Sequence, residues 1–349
     1  MLEIDGSYGE GGGQILRTAL SLSCLTGRPF SIAHIRRQRD KPGLMPQHLA
    51  AVRAAQAISN ASVEGARPGS TFLTFHPVSL RGGIFSFDIG TAGSVSLVLQ
   101  TLIPPLLQAG HPSRLTLTGG THVPGSPSMT YVTQVFTPML HHLNAKLRLS
   151  IDGYGFYPHG GGRITAEIIP EADLKPYNPG APSGPLRISG VSAVCNLPQA
   201  IAERQRAAAL AMLAEKCGDD LHPARIEAMN VPGPGQGTFL FLRAERGGVQ
   251  AGFTALGARG KPAETVGSEA ATKLLRHLSS GAVLDPHLTD QVVPYLALAR
   301  GESSFSTSCI TRHLLTNLWV ASQFLPLHYR VYGEEGQAGR VRIAPSNRA

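Results

Sequence analysis

The feature of this sequence that most limits its possible folds is a repeated order of strands and helices. The first copy predicts a strand, a glycine loop, an apolar helix, a strand, a second helix and two paired strands at Thr71–Phe75 and Ile84–Ile89. A second copy follows Gly90–Gly93, and a third begins at His287. The copies share almost no residue identity, so the repeat rests on element order. This order predicts an α/β (α+β) fold whose main domain has three β-α-β-α-β-β-type repeats.

A stretch rich in proline and glycine, Lys175–Pro185, separates the second and third copies and is typical of a domain boundary. The segment after it predicts elements of its own: a strand, a long helix, three further strands and a closing helix. We therefore expect residues 184–279 to form a small inserted α/β domain. Residues 1–183 and 280–349 would together form the catalytic main domain.

Composition narrows the class of protein. The 349 residues include 31 Lys+Arg and 23 Asp+Glu, and the net charge of +8 is compatible with an anionic partner such as nucleic acid. No apolar run reaches ~18 residues and the first residues lack a signal-peptide pattern, so neither a membrane span nor secretion is expected. The four cysteines form no CxxC pair, which disfavours a disulfide scaffold and a zinc ribbon. We expect a cytoplasmic protein. The sequence leaves the oligomeric state open, with a homodimer as one option.

A glycine-rich segment with the sequence GEGGGQILR, residues 9–17, joins the first strand to the first helix. Glycines let backbone amides approach a ligand, and a helix N-terminus favours an anion. The segment is neither a Walker loop nor a Rossmann fingerprint. Glu10 could hold a divalent cation, and Arg17 could reach a phosphate. The alternative is a tight turn with a solvated Glu and Arg.

A basic loop lies beside it in the predicted unit. Arg36, Arg37, Arg39 and Lys41 place four cations in six positions between a strand and a helix. Next to a glycine loop, they would form a funnel for phosphates. The alternative is a solvated charged loop.

Two predicted helices begin with residues that can carry chemistry. His313 lies near the positive end of a helix, which favours the neutral imidazole that acts as a nucleophile, base or ligand. His287, Asp290 and Gln291 offer an aromatic ring, a carboxylate and an amide at another helix start. An adenine site needs such groups, but in isolation an ordinary capped helix is the better interpretation of residues 287–291. A lone histidine near a helix start, such as His313, is usually structural. No HExxH or GxSxG pattern occurs, which disfavours zinc and serine hydrolases.

Taken together, these segments resemble the RNA 3′-terminal phosphate cyclase family. The matching motifs include GEGGGQILR at 9–17, RDKPGL at 39–44, YPHGGG at 157–162, HLTDQ at 287–291 and HLLTN at 313–317. They span nearly the whole chain in the family's order, so the match is specific although each motif alone is weak. The resemblance implies repeats akin to the C-terminal domain of translation initiation factor three and to enolpyruvyl transferase domains, with the insert as the family's small α/β domain.

The resemblance also implies an activity, the ATP-dependent conversion of an RNA 3′-phosphate to a 2′,3′-cyclic phosphodiester. A histidine attacks the α-phosphate of ATP and releases pyrophosphate. AMP then passes to the RNA 3′-phosphate, and the neighbouring 2′-hydroxyl attacks this activated phosphate and expels AMP. The implied partners are ATP, an RNA with a 3′-phosphate end, and Mg²⁺ or Mn²⁺.

Individual roles follow from the same resemblance. His313 would be the nucleophile, and Glu10 would hold the metal near the phosphates. The RNA phosphate end would meet Arg36, Arg39 and Lys41. Besides Glu10, the residues implied for ATP are Arg17, Gln47, Pro127, His287, Asp290 and Gln291. All of these lie before residue 164 or after residue 286, so we expect the insert to stand outside the catalytic core.

Two other classes of function remain open from the sequence. One is a non-catalytic relative that binds RNA in ribosome assembly, which the intact HLLTN motif with His313 disfavours. The other is an enolpyruvyl-type transferase, which would need a Lys/Arg phosphate site spread over two large domains and fits the small insert poorly.

Overall fold

The first repeated unit forms a four-stranded mixed sheet. Its elements are β1 Leu2–Asp5, α1 Gly13–Thr26, β2 Phe30–Ala33, α2 Pro46–Ser59, β3 Ser62–Glu64 and β4 Leu73–His76. Strand β1 is parallel to β2, β4 is antiparallel to β2, and β3 is antiparallel to β4. The spatial order of the strands is therefore first, second, fourth, third.

The second unit repeats this order. Its elements are β5 Ile84–Asp88, α3 Val95–Leu106, β6 Ser113–Gly119, α4 Met129–Tyr131, a π-helical turn at Val132–Phe136, α5 Thr137–His142, β7 Lys146–Gly153 and β8 Gly162–Ile169. Strand β5 is parallel to β6, and β8 lies between β6 and β7, antiparallel to both. The helical segment from Met129 to His142 is thus interrupted. Pro138 removes a backbone donor there, and Thr137 instead bonds to the carbonyl of Val132, five residues back.

The third unit has the same order with a shortened first strand. Its elements are α8 Pro286–Leu296, β13 Ser303–Thr307, α9 Arg312–Phe324, β14 Leu327–Tyr332 and β15 Gly339–Pro345. In place of a first strand, Leu284 makes a single parallel bridge to Thr307. Strand β15 lies between β13 and β14, antiparallel to both. The shared order confirms the predicted three-repeat fold class.

One predicted strand pairing is wrong. The segments at Thr71–Phe75 and Ile84–Ile89 do not pair, because β4 closes the first sheet against β3 and β5 opens the second. The true partner, β3, has only three residues and too little alternation to be predicted from its pattern. In the structure, Val63 lies opposite Phe75.

The computed structural model describes residues 1–217 and 224–345, and the strands in these ranges form four sheets. The side chain of Cys217 and the last residues of the predicted main domain, 346–349, lie outside the described residues. Among the helices within the described ranges, none combines the length and apolar character needed to cross a membrane.

The fourth sheet belongs to the segment between the second and third units. Its elements are β9 Arg187–Cys195, α6 Gln199–Cys217, β10 Arg225–Asn230, β11 Gly237–Arg246, β12 Val249–Leu256 and α7 Ala263–Ser280. The strand order is β10-β9-β11-β12, and α6 and α7 pack against each other. A separate hydrophobic cluster extends here from Ile188 to Leu274, while Phe239 and Phe241 join the main core.

Helix α1 places the site. It packs against α2, α3 and α9, so helices of all three units meet around it. Its Ile15, Leu16, Leu20 and Leu22 are at most 1% exposed. Because α8 also packs against α9, the glycine loop before α1 and the first turns of α8 and α9 come together.

Candidate active site

The glycine loop lies directly on helix α9. Gly9 has φ of +59°, and a Cβ at this position would be 2.5 Å from Thr316 Oγ1. Only glycine therefore allows the loop this close approach. The next residue, Glu10, is 12% exposed, and its Oε2 lies 3.2 Å from His313 Nε2. The structure thus brings together two of the residues assigned from the sequence.

His313 is the second residue of α9, where the helix dipole is positive. Thr311 caps this helix, since its hydroxyl accepts a bond of 2.9 Å from the Leu314 amide. The imidazole is 47% exposed. Desolvation lowers its pKa below the ordinary value, Glu10 opposes this shift, and Arg17 adds to it. The ring is therefore neutral at neutral pH, as a nitrogen nucleophile must be.

Asp290, on α8, accepts two hydrogen bonds from α9 and its N-cap residue. Its carboxylate accepts a hydrogen bond from Thr311 Oγ1, and its backbone carbonyl accepts one of 2.8 Å from Asn317 Nδ2. Burial raises the pKa of this carboxyl well above its usual range, and the nearby carboxylates of Asp285 and Glu10 raise it further. Asp290 therefore acts on the position of His313 through the cap of its helix.

Arg17 is held by a polar network between α1 and α9. Its Nη2 donates to Gln14 Oε1 at 3.0 Å, and Gln14 Nε2 donates to Asn317 Oδ1 at 2.8 Å. Thr18 Oγ1 donates to the same oxygen at 2.7 Å. Burial lowers the pKa of the guanidinium to about 10, against the opposing effect of Glu10. Arg17 therefore stays cationic at neutral pH and can bind a phosphate.

A cavity of about 580 Å³ opens beside these residues. This volume is in the range of small-molecule sites. The residues assigned from the sequence that line it are Arg17, Pro127, His287, Asp290, Gln291 and His313. Glu10 is not part of the lining, but it lies next to His313, which is. Gln47 is absent from the lining, and its Oε1 accepts a bond of 3.3 Å from the Ser94 amide at the start of α3.

Part of the cavity lining is apolar and aromatic. The ring of His287 packs edge-on against Tyr131, with centroids 6.1 Å apart. The carbonyl of Pro127 accepts a bond of 2.7 Å from Ser96 Oγ, which fixes the loop that carries this proline. Such a lining suits a flat heterocycle.

Sequence reasoning missed Gln100. It lines the cavity from α3 and donates from Nε2 to Gln291 Oε1 at 2.7 Å. A signal was present, because Gln100 is the single amide in α3, whose other side chains are apolar or carry a hydroxyl.

The insert also contributes to the cavity, contrary to our expectation that it stands outside the site. Ser128 Oγ and Thr254 Oγ1 form a hydrogen bond of 2.8 Å that docks β12 on the loop after β6. The end of β12, the loop after it and the middle of α7 face the cavity. The insert residues in its lining are Thr254, Leu256, Gly257, Ala258, Lys261, Glu269 and Lys273.

Two lysines of this wall share one carboxylate. Glu269 accepts from Lys261 and, at 2.7 Å, from Lys273. Lys261 also donates to the carbonyl of Leu256 at 3.0 Å. No local sequence pattern could place these residues, because only the docking of two sheets brings them to the site.

The cations of the basic loop make different contacts. Arg39 Nη2 lies 3.5 Å from Glu10 Oε2, and the Arg39 side chain is 46% exposed. Arg36 instead donates from Nη1 to the carbonyls of Lys41 and Gly43, at 2.6 and 3.1 Å, and so holds the loop itself. Lys41 is exposed. Of the three cations assigned to RNA, Arg39 is the one that the structure places near Glu10 and His313.

The YPHGGG segment lies at the joint between the second unit and the insert. A Cβ at Gly160 would meet the backbone of Thr91 and Ala92 at 2.7 to 2.9 Å, and one at Gly161 would meet Pro234 at 2.9 Å. Its glycines therefore serve close packing at this joint.

Three repeats, an inserted α/β segment and a cavity with a neutral histidine beside a carboxylate define a mixed α/β protein with a nucleotide-sized site. The family profile described as RNA 3′-terminal phosphate cyclase matches residues 8–331. The chain belongs to this family, whose members are ATP-dependent enzymes of the ligase class.

Curated relatives match this chain along nearly its whole length. The RNA 3′-terminal phosphate cyclase of Pyrobaculum neutrophilum is 48% identical over 95% of this chain and 94% of its own. That of Archaeoglobus fulgidus is 46% identical over 93% and 96%, and that of Nitrosospira multiformis is 40% identical over 99% and 97%. Among solved structures, the enolpyruvyl transferase NikO from Streptomyces tendae covers 98% of this chain and 48% of its own, with 8% identity and a TM-score of 0.37.

Proposed function

We propose that this protein uses ATP to convert the 3′-phosphate end of an RNA into a 2′,3′-cyclic phosphodiester. The observation that carries this proposal is the contact of 3.2 Å between Glu10 and His313, at the edge of a nucleotide-sized cavity, in a chain that belongs to the cyclase family. The direct test is incubation with α-labelled ATP and a divalent cation, followed by a denaturing gel. Covalent label on the chain is expected, and its absence would favour a non-catalytic RNA-binding relative.

The first step needs a neutral nitrogen nucleophile. His313 Nε2 attacks the α-phosphorus, a nitrogen–phosphorus bond forms, and the bond to the pyrophosphate oxygen breaks. Arg17, which remains cationic, stabilises the charge that develops on the phosphate oxygens. Glu10 Oε2 lies 3.2 Å from this nitrogen, so the carboxylate stabilises the positive charge that develops on the ring as the new bond forms.

The second and third steps activate and close the RNA end. An oxygen of the 3′-phosphate attacks the adenylyl phosphorus and displaces the histidine nitrogen. The adjacent 2′-hydroxyl then attacks the activated RNA phosphorus, loses its proton and expels AMP. A phosphate oxygen alone is a poor leaving group, whereas AMP is a good one, and the 2′-hydroxyl is already within reach.

The donors present fit a divalent cation that binds together with the substrate. Mg²⁺ is often held by one or two carboxylates and the phosphates of the nucleotide. Among the described residues there is no cluster of three His, Cys, Asp or Glu side chains, and Glu10 is the carboxylate beside the nucleophile. We assign Glu10 as the protein ligand of Mg²⁺ or Mn²⁺, which would neutralise phosphate charge there.

The remaining roles are assigned according to where each residue lies relative to the cavity. Pro127 and His287 frame the adenine, while Asp290 supports the helix of the nucleophile. Gln291, with Gln100, contacts the nucleoside. Gln47 acts from outside the cavity by positioning the start of α3.

We also propose the domain division at residues 184 and 279 and a cytoplasmic site of action. The separate cluster from Ile188 to Leu274 supports the division, although the insert shares the cavity wall. The free thiols of Cys24, Cys195 and Cys309 suit a reducing compartment.

Replacement of Glu10 by glutamine should slow adenylylation of the enzyme roughly ten- to a hundredfold, because a charged contact at the reacting centre is lost. The pH dependence should also change. Wild-type adenylylation should fall on acidification through a pKa below about 6.5, since protonation blocks the nucleophile. Glu10 raises that pKa, so in the variant the acid limb should move to still lower pH.

The measurement is single-turnover label formation between about pH 5 and about pH 8. Glu335→Gln is the matched control, because Glu335 pairs with the neighbouring Arg312 at 2.6 Å. The role assigned to Glu10 would be contradicted if the acid limb of the pH profile moved equally in both variants. It would also be contradicted if the limb moved toward higher pH in Glu10→Gln.

Arg39→Ala should leave label formation near normal and slow the transfer of AMP to RNA roughly ten- to a hundredfold. The half-exposed guanidinium is loosely paired with Glu10 and free to meet an incoming phosphate. Preformed enzyme–AMP is mixed with 3′-phosphorylated RNA, with Arg37→Ala as the control from the same loop. Blocked label formation with normal transfer would assign Arg39 to the ATP site instead.

A further inference from the structure

An exposed tyrosine is stacked on a tryptophan next to the glycine loop. The rings of Tyr8 and Trp319 have centroids 3.9 Å apart and planes inclined by 16°. Trp319 is partly buried against the main core, whereas Tyr8 is 42% exposed. Because Trp319 covers one face of Tyr8 and fixes its plane, the exposed area of Tyr8 lies on its other face and edge.

The stack has a fixed relation to the nucleophile. Tyr8, Gly9 and Glu10 lie against Trp319, Thr316 and His313 of helix α9, in that order. These helix residues are three positions apart, so the loop runs along α9 toward its N-terminus. With a rise of about 1.5 Å per residue, the stack lies roughly 9 Å along the helix axis from the histidine. Stacked nucleotides are about 3.4 Å apart, so this separation corresponds to two or three nucleotides.

The surroundings are aromatic and basic. Tyr329 is 36% exposed, and it lies near enough for Tyr8 to contribute to the raised pKa of its phenol, which is mainly due to burial. Gln38 of the basic loop donates from Nε2 to the carbonyl of Ser7 at 3.0 Å, so this loop borders the stack. Exposed aromatic rings beside cations are the composition of surfaces that bind single-stranded RNA.

We propose that the Tyr8–Trp319 pair is a stacking platform for a base of the RNA, two or three nucleotides upstream of the 3′-phosphate. The inference rests on the proposed cyclase function and adds a subsite to it. The platform holds the strand while the basic loop meets the phosphate end, and stacking makes this subsite tolerant of base identity.

The test compares substrates of different length. For a 3′-phosphorylated oligonucleotide of about six residues, Tyr8→Ala should raise the KM of cyclisation roughly five- to a hundredfold. For a nucleoside 3′-phosphate, which does not reach the platform, the KM should be unchanged. Label formation on His313 without RNA should also be unchanged.

Two further variants sharpen the result. Tyr8→Phe keeps the ring and should behave as wild type. Tyr332→Ala removes a tyrosine of similar exposure, 47%, from β14 and should not discriminate between the two substrates. An equal KM effect on both substrates, or a loss of label formation in Tyr8→Ala, would overturn the platform and leave Tyr8 as a support of the glycine loop. A wild-type chain that takes no label would instead overturn the proposed function.

Discussion

Replacement of His313 by asparagine should abolish both the covalent AMP label and the cyclic product. Asparagine also carries a side-chain nitrogen, but the nitrogen of an amide is not a nucleophile. The pKa of His313 is lowered mainly by desolvation, so the wild-type ring is ready to attack at neutral pH. Loss of the nucleophile removes the first step altogether, and the expected signal is below detection.

The natural control is the other histidine of the cavity. His287 lines the same space and lies close enough to contribute to the lowered pKa of His313. His287→Asn should weaken ATP binding but keep the label, because its assigned role is to frame the adenine. A label that survives in His313→Asn and disappears in His287→Asn would reverse the two roles.

The fold was largely predictable because strands and helices with one buried face show a regular spacing of apolar residues in the sequence. The family and fold class predicted from that order and from the motifs are confirmed. The failures have physical causes. Strand β3 is too short to show alternation, and Pro138 diverts a continuous helical pattern into a π-helical turn.

The site was predictable only where residues belong to a motif. His313, Arg17 and Asp290 do, and the structure gathers them at one cavity. The contribution of Lys261 and Lys273 depends on how the insert docks, through the Ser128–Thr254 hydrogen bond, and nothing local in the sequence encodes that contact. The assigned roles of these residues stay predictions.

The second large effect concerns the glycine loop. Gly9→Ala should slow adenylylation by about a hundredfold, the effect of displacing a catalytic group by roughly 1 Å. Gly9 has a positive φ, and its added methyl group would lie 2.5 Å from Thr316 Oγ1. To relieve that contact the loop must move off α9, and Glu10 then leaves His313.

The partner residue allows a test by rescue. Thr316 is buried, and its Oγ1 has no hydrogen-bond partner among the described residues, so Thr316→Ala alone should have little effect on adenylylation. Combined with Gly9→Ala, it removes the atom that the methyl group meets and should restore much of the rate. The remaining deficit reflects the positive φ, which costs a non-glycine residue roughly 1–2 kcal/mol. Thr316→Val keeps a methyl group near the place of the hydroxyl and should not rescue. If Thr316→Ala and Thr316→Val behave alike in the Gly9→Ala background, the close approach of the loop to α9 does not position Glu10.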